Sequence, residues 1–294
     1  MKQGDLVTRK SYGGDIIFKI QDIIQQQAIL RGVDYRLLAD APIFDLVNAP
    51  MDPYQYTVGI EPKWMENMRR ARTNPSAGES YSGFGDTPGA LGEKKIPVYF
   101  EMPGKVLHLD GDPMYLRKCM NLYGELRVPA EGFYVSESRM AEALYRLLPQ
   151  VKPDIVVITG HDGILKTRRN GDIGQLSSYK NSHHFVSAVK VARQYEKNKD
   201  TLTVVAGACQ SHFEALMQAG ANYASSPARV LIHALDPLCV AVKVAYTPIR
   251  DTVNIVDVIG LTHSGLEGLG GVESRGSFRR GVPIIQNNIP LQAP

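Results

Sequence analysis

The sequence predicts an α/β protein: a doubly wound, mostly parallel sheet preceded by a small antiparallel barrel. Three observations carry this. The runs Asp154-Ile-Val-Val-Ile-Thr-Gly and Thr201-Leu-Thr-Val-Val-Ala-Gly lack polar alternation, as strands buried on both faces do. Segments of helical periodicity alternate with them, and that alternation builds parallel sheets. The first 48 residues hold only strand-length runs and turns.

In order, Asp5-Leu-Val-Thr, Asp15-Ile-Ile-Phe-Lys-Ile, Gln27-Ala-Ile-Leu-Arg and Tyr35-Arg-Leu-Leu-Ala read as strands, punctuated by Tyr12-Gly-Gly and Gly32-Val-Asp. So many short antiparallel strands in about fifty residues suggest an SH3-like barrel over residues 1–48. Residues 49–95 change character. A short amphipathic helix around Lys63-Trp-Met-Glu-Asn-Met-Arg is followed by a Gly-, Ser- and Pro-rich linker too poor in apolar residues to offset its ordering entropy. Residues 96–260 form the α/β unit. Lys105-Val-Leu-His-Leu-Asp is a strand, and from Pro113 to Gly124 Tyr115, Leu116, Cys119 and Tyr123 share one helical stripe. Gly132-Phe-Tyr-Val is a short strand, and Ser136 is placed to N-cap the next helix. Helices are expected over 181–197, from His212 to Ala219 and from Ala228 to Val244, with a short strand at Tyr223-Ala-Ser-Ser. Residues 261–294 read as a glycine-rich tail without the lysine and hydroxyl of a phosphate loop.

Composition narrows the class. Of 294 residues, 33 are Lys or Arg and 30 are Asp or Glu, so the formal charge of +3 gives no reason to expect nucleic acid as a partner. Three cysteines cannot make a disulfide framework. No apolar run approaches the roughly 18–20 residues of a membrane span, and the start lacks the apolar core of a signal peptide. A reducing, cytoplasmic setting is expected.

Ligands of open parallel sheets bind beyond the carboxyl ends of the strands. Three clusters stand there: Asp110, Gly111 and Asp112; His161, Asp162 and Gly163; and Cys209, Gln210 and Ser211. Cys209 lies between a buried strand and a helix start, a position that favours thiolate. His161 holds the matching position after the neighbouring strand, so thiol and imidazole are expected to face one crevice as nucleophile and general base. The backbone amides of Cys209 and of Asp162 or Gly163 are candidates to hold an oxyanion. His212, three residues after Cys209, is a rival base. Cys119 and Cys239 fall in helical runs and read as structural. With no CxxC, and with His183 and His184 adjacent and so facing apart, neither a metal nor a cofactor is expected.

The order apolar block, His161 and Gly163, then apolar block, Ala208-Cys209, resembles the caspase, legumain, gingipain and clostripain group of cysteine peptidases. Asp162 departs from the pattern by standing between His161 and Gly163, which leaves the second oxyanion amide open. Over nearly the whole chain, Gly4-Asp-Leu-Val-Thr-Arg-Lys-Ser-Tyr12, Arg36-Leu-Leu-Ala-Asp-Ala, Pro103-Gly-Lys-Val-Leu-His-Leu-Asp-Gly-Asp-Pro113 and both catalytic blocks resemble the YabG family of sporulation-specific cysteine peptidases. That resemblance implies a caspase-like sheet, a His161–Cys209 dyad, and processing of spore coat and cortex-associated proteins in the mother cell and at the forming spore. It also implies cleavage after Arg or Lys, and self-cleavage. A basic specificity pocket needs a carboxylate. The position two before the Cys, acidic in clostripain-like relatives, is Gly207 here, so Asp110 and Asp112 are the candidates by position, with Asp162 a third. Arg168-Arg169, Arg275 and Arg279-Arg280 are candidate self-cleavage sites.

Two other readings stay open. A thiol amidohydrolase of amidotransferase type needs a His after the Cys, which here is His233 or His263, but Ser211 replaces the second glycine of its elbow. A receiver-like scaffold with Asp110 as phospho-acceptor needs a lysine after a late strand, and none is placed.

Overall fold

The computed structural model describes residues 1–49, 66, 69, 100–165 and 173–281. Of the expected linker helix, Glu66 and Arg69 are described, both helical and exposed; the Gly-rich linker and Arg168-Arg169 lie outside the described residues.

The amino-terminal strands β1 (Leu6–Arg9), β2 (Phe18–Ile24), β3 (Gln27–Gly32), β4 (Leu38–Pro42) and β5 (Leu46–Asn48) form one antiparallel sheet in the order β4-β3-β2-β1-β5. Alternate residues point inward, as a sheet with one wet face requires: Ala28 and Leu30 of β3 are buried while Gln27 and Ile29 are not. The inward face, with Val7, Phe18 and Leu46, belongs to the same apolar cluster as Cys209 and Ile232. The small sheet therefore packs straight onto the carboxyl-end side of the larger unit's sheet.

That unit is a six-stranded sheet in the order β13-β11-β10-β9-β7-β8. It comprises β7 (Val106–Asp110), β8 (Ala130–Tyr134), β9 (Ile155–Thr159), β10 (Thr203–Ala206), β11 (Tyr223–Ser225) and β13 (Leu269–Gly271). All neighbours pair in parallel except β11 and β13. Val106, Ile155, Val157 and Val205 face one helix layer, formed by α1 (Pro113–Glu125) and α5 (Asp236–Tyr246). Leu107, Leu109, Val156, Ile158 and Val204 face the other, formed by α2 (Met140–Val151), α3 (Ser182–Tyr195) and α4 (Phe213–Ala219). Covering on both sides is why these strands read as unbroken apolar runs.

Three expectations need correction. Ser136 makes no side-chain cap; it leads into a 3-10 turn, Glu137–Arg139, ahead of α2. The helix expected from Ala228 begins only at Asp236, with Pro237 in its first turn. Residues 228–235 are not helical because their backbone groups bond to distant chain: Gln210 N to Val230 O at 3.1 Å, and Ala234 N to Asp34 O at 3.0 Å. The segment from Thr252 resolves into β12 (Thr252–Val253) and α6 (Ile255–Gly260), capped by Asn254. The glycine-rich stretch after 260 is not a plain tail. After α7 (Gly265–Gly268), β13 becomes the antiparallel edge of the main sheet; β14 (Ser274–Arg275) pairs with β12, and β15 (Arg279–Gly281) with β6 (Phe100–Met102).

Candidate active site

The register of the main sheet aligns Leu109, Ile158 and Ala206 on β7, β9 and β10. His161 and Cys209 each follow that level by three residues, so parallel pairing delivers both to one end of the sheet. Gly207 makes the exit from β10 possible: it sits at φ +109°, and a Cβ there would come within 2.9 Å of Leu216 and 3.1 Å of the Ser225 carbonyl. Gly207→Ala is expected to destabilise the protein by roughly 1–3 kcal/mol through backbone strain and crowding, read as a lower urea midpoint.

The His and Cys loops are tied by Asp162, which is fully buried. Its Oδ1 accepts the amides of Gly163 and Asn181, both at 2.8 Å, and its Oδ2 accepts the hydroxyls of Ser182 at 2.5 Å and Ser211 at 2.9 Å. Ser211 Oγ in turn accepts the Ala208 amide at 2.9 Å. The side chain of Asp162 is thereby committed to this link, and the Gly163 amide to Asp162. Glu137 accepts the His161 amide at 3.0 Å, and Asn181 Nδ2 donates to the His161 carbonyl at 2.7 Å. The His161 ring stacks on Tyr115 with centroids 5.3 Å apart, and its Nε2 lies 3.8 Å from Asp112 Oδ2. Asp112 is otherwise the N-cap of α1, accepting the Met114 and Tyr115 amides. His212, the rival base, caps α4 and bonds the Gly174 carbonyl at 2.7 Å.

Between the two loops lies a piece of the amino-terminal sheet, the β3–β4 connection. The Arg36 carbonyl oxygen accepts the amides of both Cys209 and Asp162, each at 3.2 Å. The Arg36 amide donates to Ile232 O at 3.1 Å, and Tyr35 bridges antiparallel to His233. On the other side the Leu38 amide donates to Asp162 O at 2.8 Å. Gly163 permits that approach, since a Cβ on it would stand 2.5 Å from the Leu38 carbonyl. The Arg36 side chain is wholly buried. Its Nη1 donates to both Asp110 oxygens at 3.1 and 3.0 Å, and its Nε and Nη2 donate to the Ala234 carbonyl at 3.0 and 2.6 Å. Tyr115 closes the pocket, with its ring 4.9 Å from the guanidinium carbon and its hydroxyl on the Gly32 carbonyl at 2.6 Å. Asp110 is thus saturated by Arg36, and His108 Nε2 lies 3.5 Å from its Oδ2.

Burial governs the electrostatics. It pushes the Cys209 thiol far up, against the opposing pull of the Ile232 amide, which donates to Sγ at 3.0 Å. It lowers the His161 imidazole to about 4, against the pull of Asp112. Burial alone would raise the Asp110 carboxyl, but Arg36 and His108 override it and hold it at about 2. With the cleft filled, thiol and imidazole are both neutral at pH 7.

Sequence reasoning missed Arg36, Tyr115 and the 230–234 wall. The one available signal was a single arginine inside the otherwise apolar Arg36-Leu-Leu-Ala run. Cys119 and Cys239 are buried and unoxidised within helices. His233, Asp236 and His263 bring donor atoms within 4.8 Å of one another, the place among the described residues where a metal would find three ligands. Both Asp236 oxygens already accept amides, from His263 and Ser264. A cavity of about 680 Å³ is lined by Pro153, Asp154, Thr201 and Leu202 at the amino ends of β9 and β10, the end opposite His161 and Cys209.

The protein thus holds a stretch of its own chain edge-on in the crevice, with the Arg36 side chain on Asp110 and its carbonyl oxygen facing two amides. Its class is that of the peptidases, as comparison with known proteins shows. The chain belongs to the YabG peptidase U57 family, whose model matches residues 2–283. It is 41% identical over 299 residues to the sporulation-specific protease YabG of Bacillus subtilis (strain 168), covering 97% of this chain and 98% of that protein. No solved structure matches it. No helix among the described residues is long and apolar enough to cross a membrane.

Proposed function

We propose that this peptidase is a cysteine endopeptidase that cleaves after arginine. One observation carries the reading: Arg36 lies in the crevice with its guanidinium on Asp110 and its carbonyl oxygen on the amides of Cys209 and Asp162. Cys209 attacks the carbonyl carbon while His161 takes the thiol proton. The developing oxyanion is held by the two amides, and His161 returns the proton to the leaving amine. Asp162 rather than Gly163 supplies the second amide, because the Gly163 amide is turned onto the Asp162 carboxylate. Asp112, 3.8 Å from the imidazole, steadies the imidazolium that forms. The fork of Asp110 and the Ala234 carbonyl suits a planar guanidinium better than the point charge of lysine.

On this reading the six-stranded sheet is a caspase-like catalytic domain over residues 96–260, completed by the edge strand β13. Residues 1–48 are an SH3-like accessory barrel, joined to it through the linker 49–95. The name of the Bacillus relative supports a role in sporulation. Its substrates would be coat and cortex-associated proteins, met in the mother cell and at the forming spore surface.

Cys209→Ala and His161→Ala are each expected to reduce cleavage of an unfolded, arginine-containing protein to background, with circular dichroism unchanged. Full activity in either variant rules out the dyad. Iodoacetamide that inactivates the enzyme by labelling Cys119 rather than Cys209 does the same.

A further inference from the structure

We propose that the Arg36–Leu37 bond is this chain's own first substrate: the protein is made latent, with residues 34–38 filling its cleft, and opens the cleft by cutting that bond within the same molecule. The proposal rests on the arginine-cleaving cysteine peptidase reading above.

Four features make the segment a bound substrate rather than a structural tether. The backbone before the bond runs antiparallel to the 232–234 wall, with Arg36 N on Ile232 O at 3.1 Å and Ala234 N on Asp34 O at 3.0 Å. That is the ladder by which an extended peptide adds itself to a sheet edge. The arginine side chain fills a pocket that satisfies its charge with Asp110 and its remaining donors with Ala234. Its carbonyl oxygen, the atom that becomes the oxyanion, is the one both loop amides reach. The chain after the bond leaves past Leu37 and Leu38 along a cavity of about 310 Å³ that Gln210 and Leu231 also line, which gives the leaving amine a way out. Arg275 and Arg279, by contrast, lie in the β14 and β15 ladders, which is no conformation for a scissile bond.

The chemistry balances without a further reagent except water. The thiol proton passes to His161, and the sulfur–carbon bond to Arg36 forms. The carbon–nitrogen bond to Leu37 breaks as the proton goes to that nitrogen. Water then hydrolyses the thioester, leaving an Arg36 carboxylate and a free thiol. The cut is intramolecular because Arg36 is wholly buried among contacts from its own chain. Filling also shuts out any other substrate, and it slows rather than stops the proton transfer, since burial favours the neutral thiol and imidazole. Once residues 34–36 lift away, water reaches both groups and the proton transfer becomes easier.

The test follows the full chain from a pulse of cell-free synthesis, with an added arginine-containing protein present. Expected are fragments whose masses fit residues 1–36 and 37–294, formed at a rate unchanged by dilution. Hydrolysis of the added protein should show a lag that ends as these fragments accumulate. Cys209→Ala, checked as folded by circular dichroism, should stay intact, and should remain uncut at Arg36 when mixed with wild type. Full initial activity from chain whose Arg36–Leu37 bond is whole overturns the proposal, as does cleavage of that bond in the folded Cys209→Ala chain by added wild type. A chain that cuts neither itself nor the added protein overturns instead the peptidase mechanism on which the proposal rests.

Discussion

Asp110→Asn, made in the Cys209→Ala background so that the chain stays whole, is expected to cost about 3–5 kcal/mol of stability. The Arg36 guanidinium is wholly buried, and Asp110 is the carboxylate that meets it with both oxygens. Neutralising the acid strands a charge that cannot reach water. Arg36→Gln strands the opposite charge and should cost a similar amount. The double variant should cost clearly less than the two single losses together, because no charge is then left without its partner. Urea titration of the four chains closes the cycle, and strict additivity would mean the two groups do not interact. In the catalytically intact chain, Asp110→Asn should also reduce kcat/KM for arginine substrates by orders of magnitude and leave little preference for arginine over glutamine. A specificity that survives the change would move the pocket elsewhere, with Asp112 the next acid in line.

Acidification should unfold the same Cys209→Ala chain well above the range in which exposed carboxylates titrate. His161 is held to about 4 in the folded protein by burial, against 6.5 when free. As pH falls below about 6.5 the unfolded chain takes up the proton first, so folding stability falls, and the loss is complete near pH 4. One such group is worth roughly 3 kcal/mol at 1.36 kcal/mol per unit. Asp110 acts in the same direction at lower pH. Its folded value of about 2 lies below the free value of 3.8, so its contribution is present above 3.8 and disappears as pH falls through 2. His161→Asn should flatten the stability profile between pH 6.5 and 4, whatever it does to absolute stability. An unchanged slope would show that the imidazole is not held neutral in the fold.

The parts of this architecture that depend on neighbours in sequence were legible. Ile155–Thr159 and Thr203–Ala206 announce strands buried on both sides, and the equal offsets of His161 and Cys209 beyond them follow from parallel register. What escaped depends on partners far along the chain. Arg36 looks like one outward residue of a short strand until Asp110, 74 positions later, is brought against it. Residues 228–235 carry an apolar pattern that a helix would accept, but their backbone is claimed by Asp34, Arg36 and Gln210. The glycines after 264 suggested a loose tail; several stand where a side chain would collide, as at Gly271, whose Cβ would lie 2.4 Å from the Asn222 carbonyl. Small size there serves close packing.

The strand order β4-β3-β2-β1-β5 has a consequence for what a cut at Arg36 leaves behind. The piece ending at Arg36 supplies the three central strands, and the piece beginning at Leu37 supplies both outer ones. The smaller piece is therefore hemmed in left and right by the larger, through five backbone pairings on the β4 side and three on the β5 side. A denaturing gel would resolve two chains where size exclusion finds one particle. The short span from Asp34 to the new carboxyl end is then at liberty to swing, like a bolt drawn from a door that stays on both hinges.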